Sequence, residues 1–474
     1  MPKGQLHIGW SRIDITPPKK TLLLGQFHAR LADTAISPLT ATALAVETRA
    51  QDDSLEQAIF LSCDLAAESF KSDLRAKLAG RCSGFDMDKL TINATHTHNA
   101  PPLRSGTYDE PEDDPNFMAP DEYRGFLVDR LADVVEKAWE DRQPGAISRG
   151  FAYAVVGRCR RAVYRDGSAQ MYGATDREDF LGIEACDDHA VNLLFTHDVS
   201  GELTGVLVNL ACPSQCDERK EEFSADFWHD VRVGIRDRCG PAVHLLPQCG
   251  PAGDASPHLL LDQREEKDLR DRANVDDKGI IARRIMTAVE EAKALASRPE
   301  HEVEFRHIVR TLQLPRLRVT REEYEIEKKI PTMSEEELKR QPWGFNRIWP
   351  FGSVSDLVSR FENQDKNPTH LVECHIIRLG DAVFATNPFE LFMDYGTRIR
   401  AQSKALQTFL VQLADGSSGN GGGYLPTQRA REGGHYSAMI KSTWVGPDGG
   451  QMLVEETVAS IGELFPNESY PKTR

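Results

Sequence analysis

The chain has 474 residues, with 57 Lys and Arg against 73 Asp and Glu, a formal charge of -16 with neutral histidines. That balance excludes a general affinity for phosphate backbones, which rests on clustered cations, and no apolar run approaches the roughly 20 residues needed to span a bilayer. At 40% hydrophobic and 27% charged, the composition is that of an ordinary soluble globular protein, long enough for one large enzyme or two or three smaller units.

In chain order, the start MPKGQLHIGWSRIDIT lacks the basic region and long apolar core of a secretory signal peptide, so a cytoplasmic location is expected. Apolar, β-rich segments follow at 8–16, 42–48, 58–66 and 89–96, then at 189–197, 203–212 and 242–249, and again at 370–379, 382–387 and 408–414. Apolar residues at three- and four-residue steps predict helices at Glu122–Arg142, Asp226–Arg238, Asp276–Ala296, Glu390–Leu406 and Gln451–Phe465. Strands alternating with helices predict an α/β fold with mixed β-sheets flanked by helices. Tyr108–Asp121, acidic and Pro-rich, reads as a surface loop, and Asp415–Gly423 as a glycine run. The stretch 318–367, with its aromatic patch at 341–352, is either an insertion covering a pocket or a satellite hydrophobic cluster. Nine cysteines, an odd number without a CxxC pair, read as free thiols in a reducing compartment.

Four segments carry chemistry. In Asn93–Pro101 (NATHTHNAP), a strand runs into a loop, and residues two apart on a strand share a face, so His96 and His98 can point together. Two such imidazoles suit a zinc ion or a ligand-plus-catalyst pair, or are two ordinary hydrogen-bonded histidines. In Gln248–His258 (QCGPAGDASPH), glycines permit a tight turn and Pro257 biases Ser256 toward extended backbone, which can expose a hydroxyl. Glu390, in TNPFEL, lies at a strand-to-helix junction where the helix dipole alone favours an acid. Tyr424 in GGYLPT and Tyr436 in GGHY are bracketed by glycines.

In this order the segments resemble the neutral/alkaline (non-lysosomal) ceramidase family, from RIDITPP (12–18) through SCDL (62–65), ATHTHNAP and GDASP to GYLPT, roughly residues 8 to 440. The resemblance implies a zinc-dependent amidase built on a single catalytic domain over residues 1–474. It implies His96, Glu390 and Tyr424 as zinc ligands and His98 as the histidine assisting at the scissile carbonyl. Ser256 becomes the serine of the GD-x-S-P turn, with Asp254 beside it. Arg160, or alternatively Arg161, faces the site, Tyr436 is an active-site tyrosine, and Asp226 in the SAD segment orients the site.

Two departures matter. Where the family has a histidine ligand before Pro and Ser/Thr, this chain has Cys212 (LACPS). Cys212 either binds zinc as a thiolate, leaving a weaker Lewis acid, or gives way to Cys216, His229 or Gln215, or the metal is lost. The family's C-terminal immunoglobulin-like domain also has no counterpart in the roughly 50 residues after Tyr424. The expected activity is zinc-assisted hydrolysis of an N-acyl amide in a small or lipid-like substrate. Ser256 attacks or positions water, His98 or the metal site supplies the base, and His98, Arg160 and Tyr436 stabilise the developing oxyanion. The alternatives are a glycosidase on the same scaffold, pairing Glu390 with Asp254 or Asp226, and a metal-free binding protein. No nucleic acid and no integral membrane segment are expected.

Overall fold

The computed structural model describes residues 3–50, 55–67, 69–111, 114–329, 333–334, 336, 357–416 and 422–466. The aromatic patch 341–352 and part of the glycine run lie outside the described residues.

Alternation within the strands sets the architecture. In Thr40–Ala50, Ala41, Ala43 and Ala45 face one way and Leu44 and Val46 the other; in Ala190–Asp198, Val191, Leu193 and Phe195 oppose Leu194. Both faces are apolar, so the sheet must be covered on both sides. Among the described residues, the main sheet has nine strands. Its central path runs His244–Cys249, Leu203–Leu210, Ala190–Asp198, Gln143–Tyr153, Gly4–Asp14, Thr40–Ala50, Leu55–Cys63, Leu90–Ala94, with Glu302–Val303 pairing to Gly4–Asp14. A second sheet of Phe305–Pro315, Thr369–Leu379, Ala382–Thr386 and Gln407–Val411 packs on its inner face. Between them lie Leu44, Val46, Phe60, Leu194 and Leu207 from one sheet and Ile377, Phe384 and Phe409 from the other. Phe384 stacks on Phe409 at 4.4 Å between ring centroids and meets Phe60 at 5.1 Å.

Helices cover the outer faces. Lys71–Leu78 and Pro120–Glu140 bury Leu74, Leu127 and Leu131 against one half of the main sheet. Phe227–Cys239 and Asp277–Ala294 bury Val231, Ile235, Ile285 and Val289 against the other half. Met393–Gln402 and Pro447–Leu464 cover the second sheet. The result is a single large domain of mixed sheets flanked by helices. In the stretch 318–367, Val319, Tyr324 and Leu357 gather with Ile440 into a small apolar cluster.

Besides several short strands, two strands of 11 residues are absent from the sequence-based expectation. Gln143–Tyr153 sits mid-sheet although it contains Pro144 and two glycines. The proline lies at the strand's start, and Gly150 allows close approach, since a Cβ there would fall 2.6 Å from the Phe195 ring. Phe305–Pro315, the other, has Arg306, His307, Arg310, Thr311 and Gln313 interrupting its apolar residues, so it shows no continuous apolar run.

Within the two large sheets, three of the described strand pairs are parallel: Leu55–Cys63 with Leu90–Ala94, Leu203–Leu210 with His244–Cys249, and Ala382–Thr386 with Gln407–Val411. Their C-terminal ends meet at a seam between the sheets. There Leu413 O accepts from Ala94 N (3.2 Å), Ile92 O from Asp415 N (3.0 Å) and Cys249 O from Gln412 N (3.0 Å).

Candidate active site

The ATHTH, GDASP, NPFEL and GYLPT segments all emerge at this seam. The strand before the histidines ends at Ala94, and His96 takes a positive φ of 63°. The two imidazoles therefore converge through a turn, not through strand alternation as expected. Their rings meet edge to face at 5.0 Å. Asp64, fully buried, holds the turn from behind: its carboxylate accepts from Arg232 twice (2.7 and 3.0 Å), from Thr40 N and from Thr95 Oγ1. Gly25, at φ 114°, lets the backbone pass beside His98, whose ring a Cβ would meet at 2.3 Å.

His96 Nδ1 donates to Ala66 O at 2.6 Å, which turns Nε2 toward Glu390 Oε2, 3.5 Å away. Glu390 is not in a helical turn, as the sequence suggested. The helix starts at Met393, and Glu390–Leu391 instead forms a short parallel pair with Tyr424–Leu425, in which Glu390 is directly opposite Tyr424. This register sets the carboxylate and the phenol side by side. Burial works against the Glu390 charge, yet His96 and Arg160 outweigh it and hold the carboxyl below its ordinary range. Burial, with Glu390 and Tyr436 nearby, pushes the Tyr424 phenol well above its ordinary value.

Arg160, 2% exposed, ties the two halves of the site together. Nη2 donates to Tyr424 OH (3.3 Å) and Gly253 O (3.2 Å) and lies 4.0 Å from Glu390, while Nη1 donates to Tyr172 OH (2.8 Å). Tyr436 OH lies 3.3 Å from Tyr424 OH. Arg161 points elsewhere, paired with buried Glu184 through two bonds of 2.7 and 3.1 Å. Of the two candidate arginines, Arg160 is the one at the site.

Ser256 is fully buried in a two-residue strand paired with Arg158–Cys159. Its Oγ accepts from Tyr172 OH (3.1 Å) and from His258 N (3.0 Å). Beside it, Glu218 receives the Nε2 proton of His258 (2.9 Å) and faces His98 Nδ1 (3.0 Å). Gln215 Nε2 donates to His98 Nε2 at 2.8 Å, so His98 is neutral with its proton on Nδ1. Burial opposes the charge of Glu218, but the bonds from His258 and His98 hold its carboxyl well below the ordinary range.

Two acids expected near the chemistry have backbone duties. Asp254 Oδ1 accepts from Met393 N at 2.8 Å, and Asp226 caps the helix Phe227–Cys239 through Phe227 N while accepting from Asp217 N. Cys212 is fully buried in an apolar cluster with Phe227 and Trp228, and burial keeps its thiol protonated. Among its three stand-ins, Gln215 is at His98, Cys216 is beside Asp226, and His229 lines a separate cavity.

His96 Nε2, Glu390 and Tyr424 form a donor set that fits a zinc ion, with the His96 tautomer fixed by a backbone carbonyl as metal-ligating histidines require. Among the described residues the only three His, Cys, Asp or Glu ligand atoms mutually within 4.8 Å are those of Glu373, His375 and Asp415, so Cys212 does not close on His96 and Glu390 here. That other trio already holds a cation: Lys71 Nζ lies 2.6 Å from Glu373, 2.6 Å from Asp415 and 3.1 Å from His375 Nε2.

Sequence reasoning missed Glu218, Tyr172 and the role of His258. Glu218 sits in DERKEE, which reads as a solvated charge run, and the positive φ of Tyr172 (54°) leaves no mark in the sequence.

No protein-family model matches the chain, and no curated protein matches its sequence. Solved structures do. One described as a ceramidase complexed with C2 superposes with a TM-score of 0.68 at 15% identity, over 99% of this chain and 77% of its own. The crystal structure of neutral ceramidase from Pseudomonas aeruginosa gives 0.66 at 15% identity, over 99% and 78%. The chain has a neutral ceramidase-like fold.

Proposed function

We propose that this protein is a metal-dependent hydrolase that cleaves an N-acyl amide bond in a lipid-like substrate, with Ser256 as the reacting hydroxyl. The observation that carries the reading is the Arg160 bridge: one guanidinium contacts the Glu390–Tyr424 pair on one side and, through Tyr172, the Ser256 hydroxyl on the other. A donor set and a nucleophile so joined suit acyl transfer.

His96, Glu390 and Tyr424 would hold a zinc ion, which when bound polarises a carbonyl or acidifies water. The chain's own groups supply the rest. Ser256 Oγ accepts two hydrogen bonds, and donors at an oxygen favour its ionised form, so the hydroxyl is primed to lose its proton. Arg160 fixes the Tyr172 hydroxyl that makes one of these bonds. His98, its proton on Nδ1 held by Glu218, presents Nε2 as the basic nitrogen, and substrate displaces Gln215 to use it. Arg160 and Tyr436 place fixed donors where negative charge grows on the carbonyl oxygen. The glycosidase alternative has less support, because Asp254 and Asp226 are both engaged by backbone N–H groups.

The test is a hydrolysis screen that pairs short-chain N-acyl sphingosine analogues with aryl glycosides. Amides should turn over, Ser256→Ala should abolish turnover, and Arg160→Lys should lower kcat by about 100-fold or more, since an ammonium cannot span both halves of the site. Turnover of glycosides without amides would overturn the proposal, and turnover of neither would favour a binding protein.

A further inference from the structure

A second site lies on the outer face of the main sheet, away from the chemistry. Strands Gly4–Asp14 and Thr40–Ala50 and helix Phe227–Cys239 enclose a cavity of about 250 Å3, lined by Arg12, Arg232, Arg236, Thr42 and His229. Arg232 and Arg236 are four residues apart and so share a helix face, and Arg12 approaches from the sheet. Arg12 holds its proton less firmly than usual because of burial and then repulsion from Arg236 and Arg232.

Arginines this close normally find acids, and the chain has 73. Only Arg232 has one here: its two terminal nitrogens are bound by Asp64, while its Nε, in a residue 8% exposed, has no hydrogen-bond partner. Among the described residues, Arg12 and Arg236 have neither an ion pair nor a side-chain hydrogen bond. The one carboxylate in the lining, Asp14, turns its Oδ1 back to Thr16 N at 2.7 Å. The guanidiniums of exposed Arg12 and partly exposed Arg236 thus lack an acid beside a third whose charge Asp64 offsets and whose Nε stays open, which leaves a positive cavity wall that a counter-anion would relieve.

We propose that this cavity binds a small tetrahedral oxyanion, an inorganic phosphate or sulfate, gripped by the guanidinium forks of Arg12 and Arg236 with the Thr42 hydroxyl beside them. Planar forks match phosphate oxygens in pairs, which chloride cannot exploit. The volume exceeds what the bare ion fills, leaving room for a small substituent. The site stands independently of the hydrolase reading.

The test uses the full chain titrated with inorganic phosphate against potassium chloride at matched ionic strength, read by melting temperature and by 31P line width. Phosphate should raise Tm saturably by about 1–3 °C and broaden its resonance, whereas chloride should do neither. Arg12→Gln combined with Arg236→Gln should abolish both effects, and Arg310→Gln, which removes a surface pair with Glu463, should leave both unchanged. Neither cavity arginine has another partner to lose, so the double variant should fold; if it does not, Arg12→Gln alone should weaken phosphate binding at least about tenfold. No saturable effect in the native chain, or an equal effect in the folded variants, would overturn the proposal.

Discussion

A carboxylate shared between two histidines fixes both rings. Glu218 orients His98 and His258, and His258 in turn gives its backbone N–H to Ser256 Oγ. In Glu218→Gln the shape survives but the charge goes, and an amide cannot accept from both rings with both of its atoms. We expect kcat for an N-acyl amide to fall by about 10–100-fold, as for supporting partners of catalytic groups, with KM and the far-UV spectrum unchanged. An equal rise in KM would mean that Glu218 binds substrate instead of positioning histidines. Asp254 gives a separate test by pH. Burial pushes its carboxyl up to about 7, so the folded chain keeps a proton that the unfolded chain releases from about pH 4 upward. Its contribution to stability is therefore present at low pH and lost as pH rises from about 4 to about 7. Asp254→Asn keeps the oxygen that accepts from Met393 N and has no charge to bury. Its stability relative to the native chain should grow across that window by on the order of 2–4 kcal/mol, measured by urea unfolding at about pH 5 and about pH 8. A constant difference would contradict it. At this scale the sequence showed residues lying in compact motifs, such as His96, His98 and Ser256. It concealed groups such as Glu218, Tyr172 and Asp64, whose roles depend on partners between 12 and 168 residues away.

At the scale of elements, the seam is held by an internal cation. Lys71, 3% exposed, projects from the helix Lys71–Leu78 into the second sheet, where its three protons meet Glu373, Asp415 and His375 Nε2. His375 Nδ1 then donates to His307 Nε2 at 2.8 Å, and His307 Nδ1 donates to Gln57 O at 3.0 Å. Asp415 Oδ1 also accepts from Ile92 N, in the strand that leads to the histidine turn. Removing the ammonium leaves buried carboxylates without their counter-charge, so Lys71→Met should cost about 3–5 kcal/mol in chemical denaturation. A loss under about 1 kcal/mol would show that the acids are screened by other means. None of this is visible in FKSDL, which reads as an ordinary helix start. The strands were more legible. Those buried on both faces, such as Val191–Phe195 and Val206–Leu210, announce themselves as apolar runs. Gln143–Tyr153 does not, because its place is fixed by close backbone approach at glycine positions and not by side-chain pattern. The Glu390 segment misled for a related reason: apolar spacing continues smoothly from the short parallel pair into the helix, and only the pairing with Tyr424 ends it.

At the scale of the molecule, the proposed ligands come from opposite sides of the seam. His96 follows an edge strand of the main sheet, while Glu390 and Tyr424 follow strands of the second sheet. An ion held by all three would tie the two layers together, and a ligand bound only by the folded state stabilises the whole cooperative unit by mass action. The sheets already share the Phe60–Phe384–Phe409 contact, so they should melt together with or without metal. The effect of stripping it is then a displacement of one transition, not the appearance of a second. We expect a chelator to lower the Tm of native protein by several degrees in a single calorimetric transition, and the metal released to be zinc at about one per chain. His96→Ala should melt at the stripped temperature and ignore the chelator. Glu373→Gln separates this centre from the other trio of possible ligands: Lys71 occupies that trio, so the variant should lose stability yet keep its zinc and its chelator response. If Glu373→Gln lost the zinc and His96→Ala kept it, the metal would belong to the trio around Lys71 and the seam would be held by protein contacts alone.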